Sequence, residues 1–283
     1  MNGQDNVMNR VAAIQMASGP NVSANLLEAE RLIGQAAKQG AGLVVLPENF
    51  AIMGKTEQDK LKVSEREGHG PIQDFLARQA ASRNIWIVGG TIPLKTASEQ
   101  RVRAACLLFD ATGDCVARYD KIHLFDVYLD ESRENYMESR TIEPGDTVVV
   151  SETPFGRIGL AVCYDLRFPE LFRYMLDEGV EIIVLPAAFT ATTGMAHWEV
   201  LVRVRAIENL CYVIASAQGG YHVSGRETYG NSMIVDPWGA VLDRLPSGAG
   251  VVLADIDQDR LVNLRRSFPA IEHRKYRVQG GHK

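Results

Sequence analysis

The sequence predicts an α/β protein: a four-layer αββα sandwich whose two related halves form one domain. Three observations carry this expectation. Short continuous apolar runs such as Gly42-Leu-Val-Val-Leu-Pro47 read as strands buried on both faces. These runs alternate with stretches of helical period bounded by caps and glycines. The segment Gly40-Ala-Gly-Leu-Val-Val-Leu-Pro47 also returns half a chain later as Gly179-Val-Glu-Ile-Ile-Val-Leu-Pro186. A helix–glycine–strand–proline unit used twice implies two sheets, each with helices on its outer face, packed against one another.

Residues 1–9 are polar and read as a flexible leader. Residues 10–17 (RVAAIQMA) read as the first strand. Ser23 is placed to cap a helix on which Leu26, Leu27, Ala29, Leu32, Ile33, Ala36 and Ala37 share a face, and Gly40 stops it. The buried strand 42–47 follows, with Glu48 directly after it; residues 51–70 are polar and irregular and read as a loop. Pro71 opens a helix to about Arg83, and 85–90 is another buried strand. Residues 101–109 and 115–122 alternate around Asp110-Ala-Thr-Gly113, a hairpin signal. Residues 123–145 form a long charged loop, and loops of that length in compact enzymes are usually functional. Strands near 146–151 and 157–163 lead to a helix over 168–178, a strand at 182–185 and a helix over 195–209. Strands follow at 211–217, 231–236, 240–244 and 250–255, and Asp257 caps a last helix to Ser267. From 269 the chain is basic and then glycine-rich: one domain over 10–274, with a flexible tail at 275–283.

Bulk properties exclude several classes. A net charge of -5 lacks the electrostatic footprint of a nucleic-acid binder. No apolar run approaches the roughly 18–20 residues of a membrane span, and the first residues lack a signal-peptide core. Four cysteines in 283 residues do not make a disulfide scaffold, so a cytoplasmic protein with reduced thiols is expected.

Chemistry concentrates at three strand ends. Gly156–Leu160 begins a buried strand expected to deliver Cys163 at its carboxyl end, just before Pro169 opens a helix. Ligands bind there in α/β sheets, and helix N–H groups favour a thiolate. A core thiol is the plain alternative. Glu48 ends an apolar strand, where a carboxylate is costly unless it is paired or working. It reads as a cap or salt bridge, or as a general base whose pKa burial raises. Lys121 ends the strand Cys115-Val-Ala-Arg-Tyr-Asp-Lys121; it is an exposed edge lysine or a compact cation for a developing oxyanion. All three can meet at one rim. There is no G-x-S-x-G, no P-loop and no G-x-G-x-x-G. His197-x-Glu199 lacks the P-C-x-x-C of zinc deaminases, and the six histidines show no paired ligand spacing, so no metal is expected. His197, beside Trp198, reads as structural. A Cys-His protease stays open on spacing alone.

The chain resembles the nitrilase superfamily of carbon–nitrogen hydrolases from Arg10 to Arg274. Leu46-Pro-Glu48, Tyr119-Asp-Lys121-Ile-His-Leu-Phe-Asp126 and Gly159-Leu-Ala-Val-Cys163-Tyr-Asp-Leu-Arg-Phe-Pro-Glu170 match its glutamate, lysine and cysteine motifs. Ala196-His-Trp-Glu-Val-Leu-Val-Arg203, Arg205-Ala-Ile-Glu208, Asp236-Pro-Trp-Gly239 and His273-Arg274 bring it nearest the "Nit" amidases. The resemblance implies a nitrilase-like fold and cofactor-free, metal-free hydrolysis of a small-molecule amide through a thioester. Catalysis falls to Glu48, Lys121 and Cys163, with a second pocket glutamate at Glu138, or else Glu134 or Glu131. Lys121 and the Tyr164 N–H are implied as oxyanion donors. Arg167 is implied as carboxylate ligand, its alternative being an ion pair with Glu170 or Asp165, and Phe189 and Thr190 as pocket walls. The implied substrate carries an α-keto carboxylate: deaminated glutathione, giving 2-oxoglutarate and cysteinylglycine, or alternatively 2-oxoglutaramate. A silent binding protein with the same fold is the rival reading. A homodimer contacting through the 168–178 helix and the C-terminal arm is also implied.

Overall fold

In the computed structural model, which describes residues 9–129 and 134–277, the apolar runs assemble into two sheets packed face to face. The first sheet starts with β1 (Arg10–Gln15), β2 (Leu43–Val45), β3 (Trp86–Val88), β4 (Ile92–Lys95), β5 (Val102–Phe109) and β6 (Cys115–Asp120). A hairpin of β7 (Asp126–Leu129) and β8 (Glu134–Met137) follows. The second sheet takes β9 (Val150–Thr153), β10 (Gly156–Leu160), β11 (Ile182–Ala187) and β12 (Tyr212–Ala217). After a small hairpin, β13 (Gly219–Tyr221) with β14 (Glu227–Tyr229), it is completed by β15 (Ser232–Val235) and β16 (Val241–Leu245). The chain then returns to the first sheet as β17 (Gly250–Asp255), antiparallel to β1. The helices are α1 (Val22–Lys38), α2 (Asp59–Lys62), α3 (Pro71–Arg83), α4 (Pro169–Asp177), α5 (Ala191–Asn209) and α6 (Gln258–Ser267).

Side-chain alternation explains the layering. Along β1, Val11 and Ala13 face the other sheet, while Ala12 and Ile14 pack with Leu32, Ile33 and Ala36 of α1. β2 divides likewise, Leu43 and Val45 inward and Val44 outward. Strands β1–β2–β3 and β10–β11–β12 are parallel, and each central strand follows a helix closed by a left-handed glycine: Gly40 (φ 87°) and Gly179 (φ 82°). The repeated sequence unit is therefore a repeated structural unit, and the αββα expectation is borne out.

Local corrections have local causes. Asn21, not Ser23, caps α1, its side chain accepting from the Ala24 N–H at 3.1 Å. α5 begins at Ala191, four residues before the expected Met195, because Thr190 caps it by accepting from the Thr193 N–H. The apolar run of β10 ends at Leu160 and does not carry Cys163 as strand. The expected strand at 146–151 lies at Val150–Thr153, paired with β10. β4 was unexpected because it contains Pro93; as an edge strand it pairs β5 alone. Within the expected 123–145 loop, β7 and β8 pair antiparallel. The expected leader and tail fall largely outside the described residues. Among the described residues no helix is long and apolar enough to cross a membrane.

Candidate active site

Cys163, Glu48, Lys121 and Glu138 meet at one end of a cavity of about 470 Å³. Glu48 lies three residues past β2, in a turn whose next residue, Asn49, has φ 56°. Gly90 (φ 56°) lets that turn close, since a Cβ there would lie 2.1 Å from the Pro47 carbonyl oxygen. Lys121 continues the β5–β6 pairing, its N–H donating to the Ala104 carbonyl. Cys163 begins a 3-10 turn, Cys163–Arg167, with φ 48°. A non-glycine residue held in the left-handed region is strained, and such strain persists where surrounding structure fixes it.

Lys121 ties the carboxylates together. Its Nζ donates to Glu48 Oε1 at 2.8 Å and to Glu138 Oε1 and Oε2 at 2.9 and 2.8 Å. Glu138 Oε2 also accepts from the Phe125 N–H at 2.7 Å, fixing the long loop to the site. Glu138 is therefore at Lys121, while Glu131 and the side chain of Glu134 lie outside what is described. Cys163 Sγ accepts from the Ala188 N–H at 3.5 Å, at the end of β11.

Protonation follows from these contacts. Burial pushes the Glu48 carboxyl up, but attraction and hydrogen bonding from Lys121, with the Cys163 hydrogen bond, more than offset it and hold it below its ordinary range. The expected raised carboxyl is thus corrected: a buried ammonium at 2.8 Å outweighs desolvation. Burial, and then the Glu48 charge, push the Cys163 thiol well above its ordinary value despite Lys121 and the Ala188 N–H. Burial lowers Lys121, but Glu138 and Glu48 raise it well above the ordinary range. The resting site is a thiol, a carboxylate and an ammonium, not a preformed thiolate.

Asp165 joins the cysteine turn to the lysine segment. Fully buried, it accepts from the Tyr119 hydroxyl (2.7 Å), the Val162 N–H (2.8 Å) and the His123 N–H (3.1 Å), and His123 Nδ1 is 2.7 Å away. From below, Arg205 of α5 donates twice to the Leu166 carbonyl, at 3.1 and 2.8 Å.

Arg167 forms no ion pair with Glu170 or Asp165. It lines the cavity, its guanidinium 5.8 Å from the Tyr164 ring centre and 5.2 Å from that of Phe189, with Nη1 3.3 Å from His197 Nδ1. Tyr164, Phe189 and Thr190 also line it, although the Thr190 hydroxyl is engaged in capping α5. Sequence reasoning missed Arg226, Tyr136 and the Ala188 N–H, all at this cavity or at Cys163. Arg226 sits in a polar hairpin turn without helical or strand period, so nothing in the pattern singles it out. Among the described residues no cluster of His, Cys, Asp or Glu is arranged to hold a metal ion.

The carbon-nitrogen hydrolase family model matches residues 10–266. The deaminated glutathione amidase of Synechocystis sp. is 43% identical over 268 residues, covering 94% of this chain and 97% of that protein. The human deaminated glutathione amidase is 40% identical, covering 95% and 83% respectively. The crystal structure of Saccharomyces cerevisiae Nit3, a member of branch 10 of the nitrilase superfamily, superposes with a TM-score of 0.84 at 30% identity, covering 94% of this chain and 96% of that one. With matched sequence along nearly its whole length and the same fold, this chain belongs to the carbon-nitrogen hydrolase family.

Proposed function

We propose that this protein is an amidase that cleaves deaminated glutathione to 2-oxoglutarate and cysteinylglycine through a Cys163 thioester. The observation that carries the reading is the Lys121 ammonium bonded at once to Glu48 and Glu138, with the Cys163 thiol lining the same cavity and accepting from the Ala188 N–H. Glu48 takes the thiol proton as Sγ attacks the amide carbon. The carbonyl oxygen becomes an oxyanion held by the Lys121 ammonium and the Tyr164 N–H. The carbon–nitrogen bond then breaks and Glu48 gives its proton to the departing amine. Water enters and loses a proton to Glu48 as its oxygen attacks the thioester carbon. When the carbon–sulfur bond breaks, Glu48 returns that proton to sulfur, and the acid leaves. Glu138 keeps Lys121 charged and in place throughout.

The substrate assignment rests on the name shared by relatives about 40% identical over nearly the whole chain, and on Arg167. Without a carboxylate partner among the described residues, and flanked by the Tyr164 and Phe189 rings, its planar fork suits the α-keto carboxylate. The test is release of 2-oxoglutarate from deaminated glutathione and from 2-oxoglutaramate. The wild type is expected to prefer the former, and Cys163→Ala to lose about 10³-fold or more of kcat, the scale on which a lost nucleophile acts. A wild type inert toward both compounds sinks the substrate assignment; an active Cys163→Ala sinks the mechanism.

A homodimer is proposed with it. On α5, Val200, Val204 and Ile207 lie at helical spacing and are exposed, and Trp238 and Phe268, also exposed, pack edge-to-face with each other. These exposed side chains extend the expected contact surface, the 168–178 helix and the C-terminal arm, onto α5.

A further inference from the structure

We propose that Arg226 binds a carboxylate on the leaving amine, so that this pocket is built for an amide charged at both ends. The inference rests on the amidase reading above.

Arg226 lies in the turn joining β13 to β14, its carbonyl accepting from the His222 N–H at 2.9 Å. The turn is anchored: the buried His222 places Nδ1 2.9 Å from the Ser18 carbonyl and Nε2 2.8 Å from the Thr228 hydroxyl. From it the guanidinium reaches into the cavity wall. Nη2 donates to the Ala188 carbonyl, and the group sits 5.2 Å from the Tyr136 ring centre. Nε is buried and has no hydrogen-bond partner. No carboxylate lies within ion-pair distance among the described residues. Arg226 is only partly buried, and a cavity-lining guanidinium without a carboxylate partner offers a fork of N–H donors that matches a carboxylate.

The two guanidinium groups of the cavity without a carboxylate partner come from different elements. Arg167 is on the cysteine turn, against Tyr164 and Phe189. Arg226 is on the hairpin that His222 anchors to Ser18, and Gln218 ties Ser18 to the Glu48 carbonyl, which places this guanidinium on the Glu48 side. Geometry then assigns the ends of the substrate. Glu48 must protonate the leaving nitrogen, so the leaving group lies toward Glu48 and Arg226, and the acyl chain toward Arg167. A cavity of about 470 Å³ accommodates a tripeptide-sized molecule reaching both. A dipeptide leaving group ends in a carboxylate; ammonia, released from a primary amide, carries none.

The test compares kcat/KM for deaminated glutathione and for its C-terminal carboxamide, in wild type, Arg226→Gln and Arg226→Lys. Wild type is expected to favour the free acid by about 10–100-fold, the usual worth of a hydrogen bond to a charged group. Arg226→Gln is expected to reduce that preference to within about threefold of unity, and Arg226→Lys to leave an intermediate value. Loss of the Ala188 contact slows both substrates alike and cancels in the ratio. A preference unchanged in Arg226→Gln, or absent in wild type, overturns the assignment while the amidase reading stands. Should Arg226→Gln fail to fold, Arg226→Lys decides, an undiminished preference overturning the assignment. A wild type that cleaves neither compound overturns the amidase reading, and this inference with it.

Discussion

Glu48 and Cys163 show how one buried cation sets the chemistry of two neighbours. Desolvation disfavours charge on both, yet Lys121 at 2.8 Å leaves Glu48 ionised while Cys163 keeps its proton. In the proposed mechanism the thiol therefore loses its proton during attack, so that the base is required even for simple alkylation. Glu48→Gln is expected to slow iodoacetamide labelling of Cys163 by about 10²-fold, read by mass spectrometry of that peptide because Cys115 is exposed and labels as well. An unchanged rate would mean a standing thiolate. The pH sign follows from the same contacts. Glu48 is held below its ordinary range, so its stabilising pairing with Lys121 is present above the unfolded carboxyl pKa and lost as pH falls through the folded value. Lys121, held above its ordinary range, contributes below its unfolded pKa and loses that contribution as pH rises through the folded one. kcat/KM is accordingly expected to stay level through mildly acidic pH and fall only below the ordinary carboxylate range. An acid limb near neutrality would contradict the ion pair.

At the scale of elements, the short turn Cys163–Arg167 matters more than the strand before it. Asp165 satisfies the Val162 N–H within the turn and grips Tyr119 and His123, the residues two before and two after Lys121. One carboxylate thus links the segments that carry Cys163 and Lys121. His123 is stacked 3.7 Å above Phe168, which completes the clamp. Tyr119→Phe removes one charge-assisted bond and is expected to lower stability by about 1.5–3 kcal/mol. Asp165→Asn, which turns an amide N–H toward donors, is expected to cut kcat by about 10²-fold with KM little changed, as a misplaced reacting group does. Equal changes in kcat and KM, or a loss of Tm without a loss of kcat, would mean that Asp165 acts on folding alone.

At the scale of the molecule, the two sheets are joined by hydrogen bonds as well as by apolar packing. Gln15 of β1 accepts from the Ser232 N–H and hydroxyl, and Ser216 donates to the Ile14 carbonyl. Gln218, just beyond β12, donates to Ser18 and to the Glu48 carbonyl at 3.0 Å. Glu48 is therefore held from the opposite sheet, and the relative placement of the sheets sets its distance from Cys163. Outside this core, the apolar strip of α5 is the proposed dimer surface. Val200→Glu combined with Ile207→Glu is expected to shift a dimer to monomer in sedimentation velocity, since like charges would face each other across a two-fold contact. A sedimentation coefficient that stays dimeric would place the interface elsewhere, and a monomeric wild type would remove it.

Much of this was legible along the chain because it depends on local order. The buried runs, the glycine stops, the duplicated unit and the positions of Glu48, Lys121 and Cys163 near strand ends follow from residue type and period. Glu138 was reachable only through motif resemblance, because its place beside Lys121 depends on how the β7–β8 hairpin folds back. Three things required the tertiary structure. Protonation states depend on distances between residues far apart in sequence: Lys121 reverses the effect of burial on Glu48, and no spacing reveals a separation of 2.8 Å. The strained cysteine turn depends on Asp165 and Arg205, which hold it from two other elements. Arg226 enters the cavity because a hairpin from the far half of the chain lies over it, and an arginine in a polar turn carries no period to read. Local order is written in side-chain pattern; the electrostatics of a buried site is written in the approach of distant segments.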